Sequence, residues 1–157
     1  MANDTLLDLA EQANIVGVKD SSGNLAQSLE LLRRRKPGFA VMTGEDNFYY
    51  TMLAHGADGG ILASAHLRTA DFIGIHQRML ANDHCGAHGL WSRLERLVPL
   101  LFREANPMPI KYCLWRQGLL RSPECRLPLT RISPQLAAEL DQSLRQLDDP
   151  AADGATQ

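Results

Sequence analysis

Three short apolar runs, each followed by a helix-like stretch, constrain the fold of this chain more than any other feature. The runs are Asn14–Val18 (NIVGV), Phe39–Thr43 (FAVMT) and Gly60–Ser64 (GILAS). Their starts lie about 20 to 25 residues apart, a spacing typical of strands that alternate with helices. Short uncharged runs of this kind suit a parallel sheet that is covered on both faces. The pattern therefore predicts βαβ units and an α/β fold.

Leucine spacing predicts the helices. A stripe in Met1–Ala13 indicates a first helix, with Asn3 or Asp4 as its N-cap. Leu25, Leu29 and Leu32 mark the helix after the first strand. Further helices are expected over about residues 47–55, 69–81, 90–101, 108–118 and 134–147, the last opened by the N-cap pair Ser133-Pro134.

No strand is expected after residue 83, which leaves a sheet of three strands. Such a sheet would have two open hydrophobic edges, and proteins normally cover such edges. Each run looks buried on both faces, so neighbouring strands are implied on both sides. We therefore expect the chain to be incomplete on its own or to associate with itself or with another chain.

Composition excludes several classes of protein. The 157 residues carry 16 Lys+Arg against 18 Asp+Glu, so the broad basic surface of a nucleic-acid binder is absent. Arg33–Lys36 ends a predicted helix, where cations complement the helix dipole, and is interpreted as a solvated face. No apolar run approaches the ~20 residues of a membrane helix, and the N-terminus lacks a signal-peptide pattern.

The cysteines indicate a reduced, cytoplasmic protein. Cys85, Cys113 and Cys125 are an odd number and contain no CxxC pair, so a disulfide framework is not expected. His84 and His88 stand near Cys85, but no second ligand pair accompanies them. We predict no metal and no cofactor.

The carboxyl ends of the predicted strands are where functional side chains collect in parallel α/β folds. Lys19 directly continues the first strand, and alternation along a strand points it away from Asp20. A desolvated lysine without a counter-ion has a lowered pKa and so becomes a nucleophile. The alternative is a solvated or salt-bridged lysine at a strand end.

Five segments stand in this order along the chain: NIVGVKDSSGN (14–24), TGED (43–46), GADGGILAS (56–64), NPMPIK (106–111) and RLPLTRIS (126–133). Together they resemble the dihydrodipicolinate synthase/N-acetylneuraminate lyase family. The resemblance covers about Thr5–Arg145. It implies the last three units of a (β/α)8 TIM barrel in residues 1–83, a C-terminal helical extension in residues 84–148 and a disordered tail in residues 149–157.

The resemblance also implies a chemistry. Lys19 matches a Schiff-base lysine on the sixth barrel strand, which attacks the keto carbon of pyruvate or another 2-oxo acid. The resulting enamine adds to an aldehyde, or the reverse cleavage occurs, without a metal. Gly44 matches a glycine that leaves room for substrate, and Ile61 a residue whose backbone lies against the lysine. The remaining matches, which contact the variable part of the substrate, are Ser21, Glu45 and Asp46; Asp46 alone could instead cap the following helix.

The sequence also departs from this family. A complete barrel takes about 250 residues, and the first five βα units are absent here. The carboxylate-binding loop and the proton-relaying tyrosine of the family fall in that missing part. Tyr49, Tyr50 and Tyr112 do not replace that tyrosine because they are predicted on helices. Two alternatives therefore stay open beside a homo-oligomeric lyase of low activity, namely a non-catalytic truncated remnant and one half of a split enzyme.

Overall fold

The computed structural model describes residues 1–148, which form two compact units. Unit 1 contains residues 1–62 and 73–88, and unit 2 contains residues 63–72 and the described chain from residue 89. The predicted division after residue 83 stays a prediction. The tail predicted at 149–157 lies outside the described residues.

A three-stranded parallel sheet lies in unit 1. Its strands are β1 (Gly17–Asp20), β2 (Ala40–Thr43) and β3 (Gly59–Gly60), in the order β1-β2-β3. In the register of the sheet, Lys19 pairs with Met42, and Thr43 pairs with Gly60. The strand order and direction confirm the predicted α/β arrangement.

Eight α-helices accompany the sheet in the described residues. They are α1 (Asn3–Ala10), α2 (Leu25–Arg34), α3 (Tyr49–Ala54), α4 (Thr69–Leu80), α5 (His84–Leu94), α6 (Leu97–Leu100), α7 (Met108–Arg116) and α8 (Pro134–Asp148). Two short 3-10 helices lie at Asp46–Phe48 and Ser64–His66.

Helices α1, α2 and α3 pack on one face of the sheet. Leu31 of α2 and Val41 of β2 are at most 1% exposed and belong to the core of unit 1. Ala40 and Met42, which alternate with Val41, are only half-buried. Lys19 is exposed. The expectation of strands buried on both faces is therefore wrong for the described residues, because their helices cover only one face.

The first two helices are joined through Asn3. Its Nδ2 donates a hydrogen bond to the carbonyl oxygen of Gln27 at 2.9 Å, and the residue is buried. The N-cap of α1 is Ala2, and no side chain caps it. The predicted N-cap at Asn3 or Asp4 is wrong, because the Asn3 side chain is used to hold α1 against α2.

Strand boundaries differ from the predicted runs. The first strand begins at Gly17 rather than Asn14 and reaches Asp20, so Lys19 lies within it. The third strand is Gly59–Gly60, although Ile61 still donates its N–H to the carbonyl oxygen of Thr43 at 2.9 Å. The chain then turns into the 3-10 helix at residues 64–66, which is why the predicted strand over 60–64 is cut short.

Unit 2 is helical. Ser133 caps α8 as predicted, since its Oγ accepts a hydrogen bond from the Leu136 N–H at 3.2 Å. The single helix expected over residues 90–101 is instead the pair α5 and α6. Pro99 explains the break, because it has no N–H to offer the carbonyl of Glu95 and its ring crowds that position.

Three features of the described residues bear on function classes. No helix within residues 1–148 is both long and apolar enough to cross a membrane. The same residues contain no cluster of three His, Cys, Asp or Glu side chains suited to a metal ion. The three cysteines are free thiols.

Candidate active site

Lys19 is the centre of the candidate site. Within residues 1–148 its side chain has no hydrogen-bond or ion-pair partner, and the residue is exposed. The other two lysines are both engaged. Lys36 pairs with Glu11 at 3.6 Å, and Lys111 donates to the carbonyl oxygen of Glu124. The expected desolvation of Lys19 is therefore wrong for the described residues, because its side chain reaches solvent, whereas the expected absence of a neighbouring carboxylate partner is met.

Gly44 lies directly against Lys19. It follows β2, and its N–H donates to the carbonyl oxygen of Asp20 at 2.7 Å, which extends the pairing of β1 with β2. A Cβ atom at this position would stand 2.0 Å from Ser21 Oγ and 2.4 Å from Lys19 Cε. Lys19, Ser21 and Gly44 are therefore brought together at the carboxyl end of the sheet, as the sequence predicts for strand ends.

Asp20 turns to the opposite face. Its carboxylate accepts hydrogen bonds from Ser28 Oγ at 2.5 Å and from the Ser22 N–H at 2.9 Å. Ser28 lies on α2 and is buried. The bond therefore ties the end of β1 to the helix that follows it, and it keeps this carboxylate away from the Lys19 amine.

Glu45 and Asp46 follow Gly44 in a turn that Thr43 organises. Thr43 is 1% exposed, and its Oγ1 accepts a hydrogen bond from the Glu45 N–H at 3.2 Å. The Glu45 carboxylate accepts from Asn47 Nδ2 at 3.4 Å. Asp46 is the first residue of a 3-10 helix and is 2% exposed. The Glu45 side chain is therefore the more accessible of the two carboxylates.

Ile61 joins the same region through the sheet. Its N–H donates to the carbonyl oxygen of Thr43, so its backbone neighbours the residue that precedes Gly44. The Ile61 side chain projects into solvent, and the residue is 53% exposed.

The tyrosines lie on helices, as predicted. Tyr49 and Tyr50 belong to α3 and Tyr112 to α7. Burial raises the pKa of Tyr49 to about 12, and its ring lies against Gly60, whose missing Cβ would stand 2.9 Å from Tyr49 Cδ2. Tyr49 therefore stays protonated across the ordinary pH range and acts as a packing group.

Comparison with known protein families identifies the family of this chain. The dihydrodipicolinate synthetase family matches residues 1–147. This chain belongs to that family. A curated relative, 4-hydroxy-tetrahydrodipicolinate synthase 2 of Clostridium acetobutylicum, is 46% identical over 142 residues, which cover 90% of this chain and 50% of that protein. The synthase of Chlorobium phaeobacteroides is 39% identical over 145 residues and is covered to 48%.

Solved structures of the dihydrodipicolinate synthase family have the same fold over this chain. The enzyme of Aquifex aeolicus matches with a TM-score of 0.87 and 31% identity, covering 95% of this chain and 51% of that one. The Acinetobacter baumannii enzyme, solved in complex with pyruvate, matches with a TM-score of 0.88 and 32% identity, covering 94% of this chain and 50% of that one. The predicted fold, a partial (β/α)8 barrel with a helical extension, is confirmed.

The chain spans about half the length of the dihydrodipicolinate synthase family proteins it matches. This agrees with the resemblance to the C-terminal half only. In the sheet of the described residues, β1 lies at an edge.

Sequence reasoning did not single out two residues that neighbour the candidate site in this family member. Met42 stands beside Lys19 in the sheet register, and Ser28 anchors Asp20. Neither residue type suggests a functional site by itself. Alternation along paired strands would have found Met42, but it requires the β1–β2 register, which only the structure supplies.

Proposed function

We propose that this chain carries the Schiff-base chemistry of a lyase that acts on pyruvate or a related 2-oxo acid, with Lys19 as the nucleophile. One observation carries the proposal: of the three lysines in the described chain, Lys36 and Lys111 are engaged, and Lys19 presents an unpartnered amine near a strand end. The pyruvate complex of the related Acinetobacter baumannii enzyme supports the choice of ligand.

The reaction begins at the keto carbon of the substrate. The Lys19 nitrogen adds to this carbon, the carbonyl oxygen takes up a proton, and loss of water leaves a protonated imine. The imine withdraws electrons, so a proton leaves the neighbouring carbon and an enamine forms. The enamine then adds to an aldehyde, and the reverse sequence cleaves such an adduct. Water finally releases the product and regenerates the amine.

The other site residues receive roles in the same proposal. Gly44 and Ile61 shape the pocket beside the amine. Ser21 lies beside Gly44 in space, and Glu45 follows Gly44 in the sequence. Both are proposed to contact the variable part of the substrate. Asp46 is proposed to contribute to the same region, although it is buried. The groups that orient the substrate carboxylate and relay protons are expected in the half of the barrel that this chain does not match, so turnover by this chain alone is expected to be low.

Trapping the imine tests the proposal. When the chain is incubated with pyruvate and then with borohydride, hydride reduces the imine to a stable secondary amine. We expect one adduct by intact-mass spectrometry and its location on Lys19 by peptide mapping. A label on Lys36, Lys111 or the N-terminal amine instead would contradict Lys19 as the nucleophile.

The edge strand supports a second candidate function, that of a subunit completed by a separate barrel half. β1 lies at the sheet edge, and the chain covers only about half of its relatives. Open strand edges pair readily with further strands. The trapping experiment is therefore repeated after mixing with the N-terminal half of the Clostridium acetobutylicum relative. A faster reaction only in the mixture supports the completed subunit, whereas equal rates oppose it.

A further inference from the structure

At position 44, the surrounding atoms oppose a side chain, whereas the backbone conformation does not. Gly44 does not have a positive φ, unlike several other glycines of the described chain, so its backbone accepts an ordinary residue. Yet a Cβ atom here would come within 3.0 Å of three atoms, a separation that real Cβ atoms essentially never show. The three atoms are Ser21 Oγ at 2.0 Å, Lys19 Cε at 2.4 Å and Lys19 Cγ at 2.9 Å.

The backbone around Gly44 is the fixed partner in this contact. Its N–H is bonded to Asp20 at 2.7 Å, and the adjacent Glu45 N–H is bonded to the buried Thr43 hydroxyl. The lysine stem and the serine hydroxyl are rotatable side chains. A side chain at position 44 would therefore leave the sheet in place and displace Lys19 and Ser21.

We propose that Gly44 is a positioning residue, whose missing side chain provides the seat for the Lys19 stem and so determines where the amine stands. The proposal rests on the proposed function for its catalytic consequence. It differs from the role that the family resemblance implies, in which the glycine leaves room for the substrate. In the structure that room is already filled by Lys19 and Ser21.

The two roles make opposite predictions for Gly44→Ala. If the glycine seats the lysine, the variant binds pyruvate normally but positions the amine wrongly. Misplacement of a reacting group by about 1 Å costs on the order of a hundredfold in rate. If the glycine makes room for the substrate, the alanine methyl group weakens pyruvate binding and leaves the rate at saturation unchanged.

The first test follows the lysine itself and needs no substrate. The chain is labelled with 13C-lysine, and the ε-methylene signals of its three lysines are assigned with Lys-to-Arg variants. Gly44→Ala is expected to shift the Lys19 signal and leave those of Lys36 and Lys111 in place. Gly60→Ala is the matched control, because its Cβ would meet Leu62 and Tyr49 rather than Lys19; it should leave all three signals unchanged.

Two results would overturn the proposal. One is an unchanged Lys19 signal in Gly44→Ala. The other is collapse of all lysine signals to unfolded positions, since the glycine would then serve the backbone rather than the lysine.

The second test is the rate of imine trapping over a range of pyruvate concentrations. Gly44→Ala is expected to lower the rate at saturation about a hundredfold, with the half-saturating concentration unchanged. A raised half-saturating concentration with an unchanged rate would instead establish the substrate-room role. Failure of the wild-type chain to react would count against the proposed function alone, because the lysine signals still report whether Gly44 seats Lys19.

Discussion

The Lys19→Met variant is expected to form no borohydride-reducible adduct with pyruvate under conditions in which the wild-type chain reacts. Methionine keeps an unbranched stem of similar length over Gly44 but has no nitrogen to attack the keto carbon. Because Lys19 is exposed and makes no ion pair in residues 1–148, the free energy of unfolding should change by no more than about 0.5 kcal/mol. Intact-mass spectrometry and urea denaturation measure the two quantities separately.

The other two lysines provide matched controls. Lys36 and Lys111 each hold a partner, Glu11 and the Glu124 carbonyl respectively, so their amines are not expected to react. Lys36→Met and Lys111→Met should give the wild-type yield of adduct. An adduct of undiminished yield in Lys19→Met would eliminate Lys19 as the imine-forming residue. A loss of yield in all three variants would instead indicate a general effect of charge or folding.

Leu31→Ala is expected to lower the free energy of unfolding by about 2–5 kcal/mol, because it removes a large side chain from a closely packed core. Leu31 is 1% exposed and packs in one cluster with residues of α1, β2 and α3. A domain of ordinary stability has about 5–15 kcal/mol in total, so this loss is a large fraction of it. The midpoint of urea denaturation, followed by circular dichroism, measures the change.

Leu80→Ala is the control for Leu31→Ala. Both leucines are helical residues within unit 1, but Leu80 is 73% exposed. Its replacement should change the free energy of unfolding by no more than about 0.5 kcal/mol. Equal losses for the two variants would show that the core described around Leu31 does not hold unit 1 together.

The order of strands and helices along the chain was predicted from local sequence patterns. Each apolar run coincides with, or overlaps, an observed parallel strand, because β-branched runs bounded by turn residues have few other ways to be buried. Ser133-Pro134 located the start of α8 correctly, since an N-cap acts within a single turn. The same reasoning predicted a wrong N-cap at Asn3, because the Asn3 side chain bonds to Gln27, which is distant in the sequence.

The sequence also identified the strand ends that carry the candidate site, but it did not predict how the side chains at those ends pack against one another. Lys19 and Gly44 were both assigned to the site from their places after strands and from the family resemblance. That Lys19 lies over Gly44 depends on the β1–β2 register, which the hydrogen bond from Gly44 to Asp20 fixes. The predicted roles of Gly44, Ile61, Ser21, Glu45 and Asp46 stay proposals.

The sequence by itself determined the α/β alternation, the family and the identity of the candidate nucleophile, because each depends on residue type and spacing along the chain. Only the tertiary structure decided which side of an apolar helical stripe is buried and which side chains are in contact. The stripe of Leu25, Leu29 and Leu32 predicted α2 correctly, yet the most deeply buried leucine of that helix is Leu31. Periodicity gives a helical face about a hundred degrees wide, and only the packing partners select the direction within it.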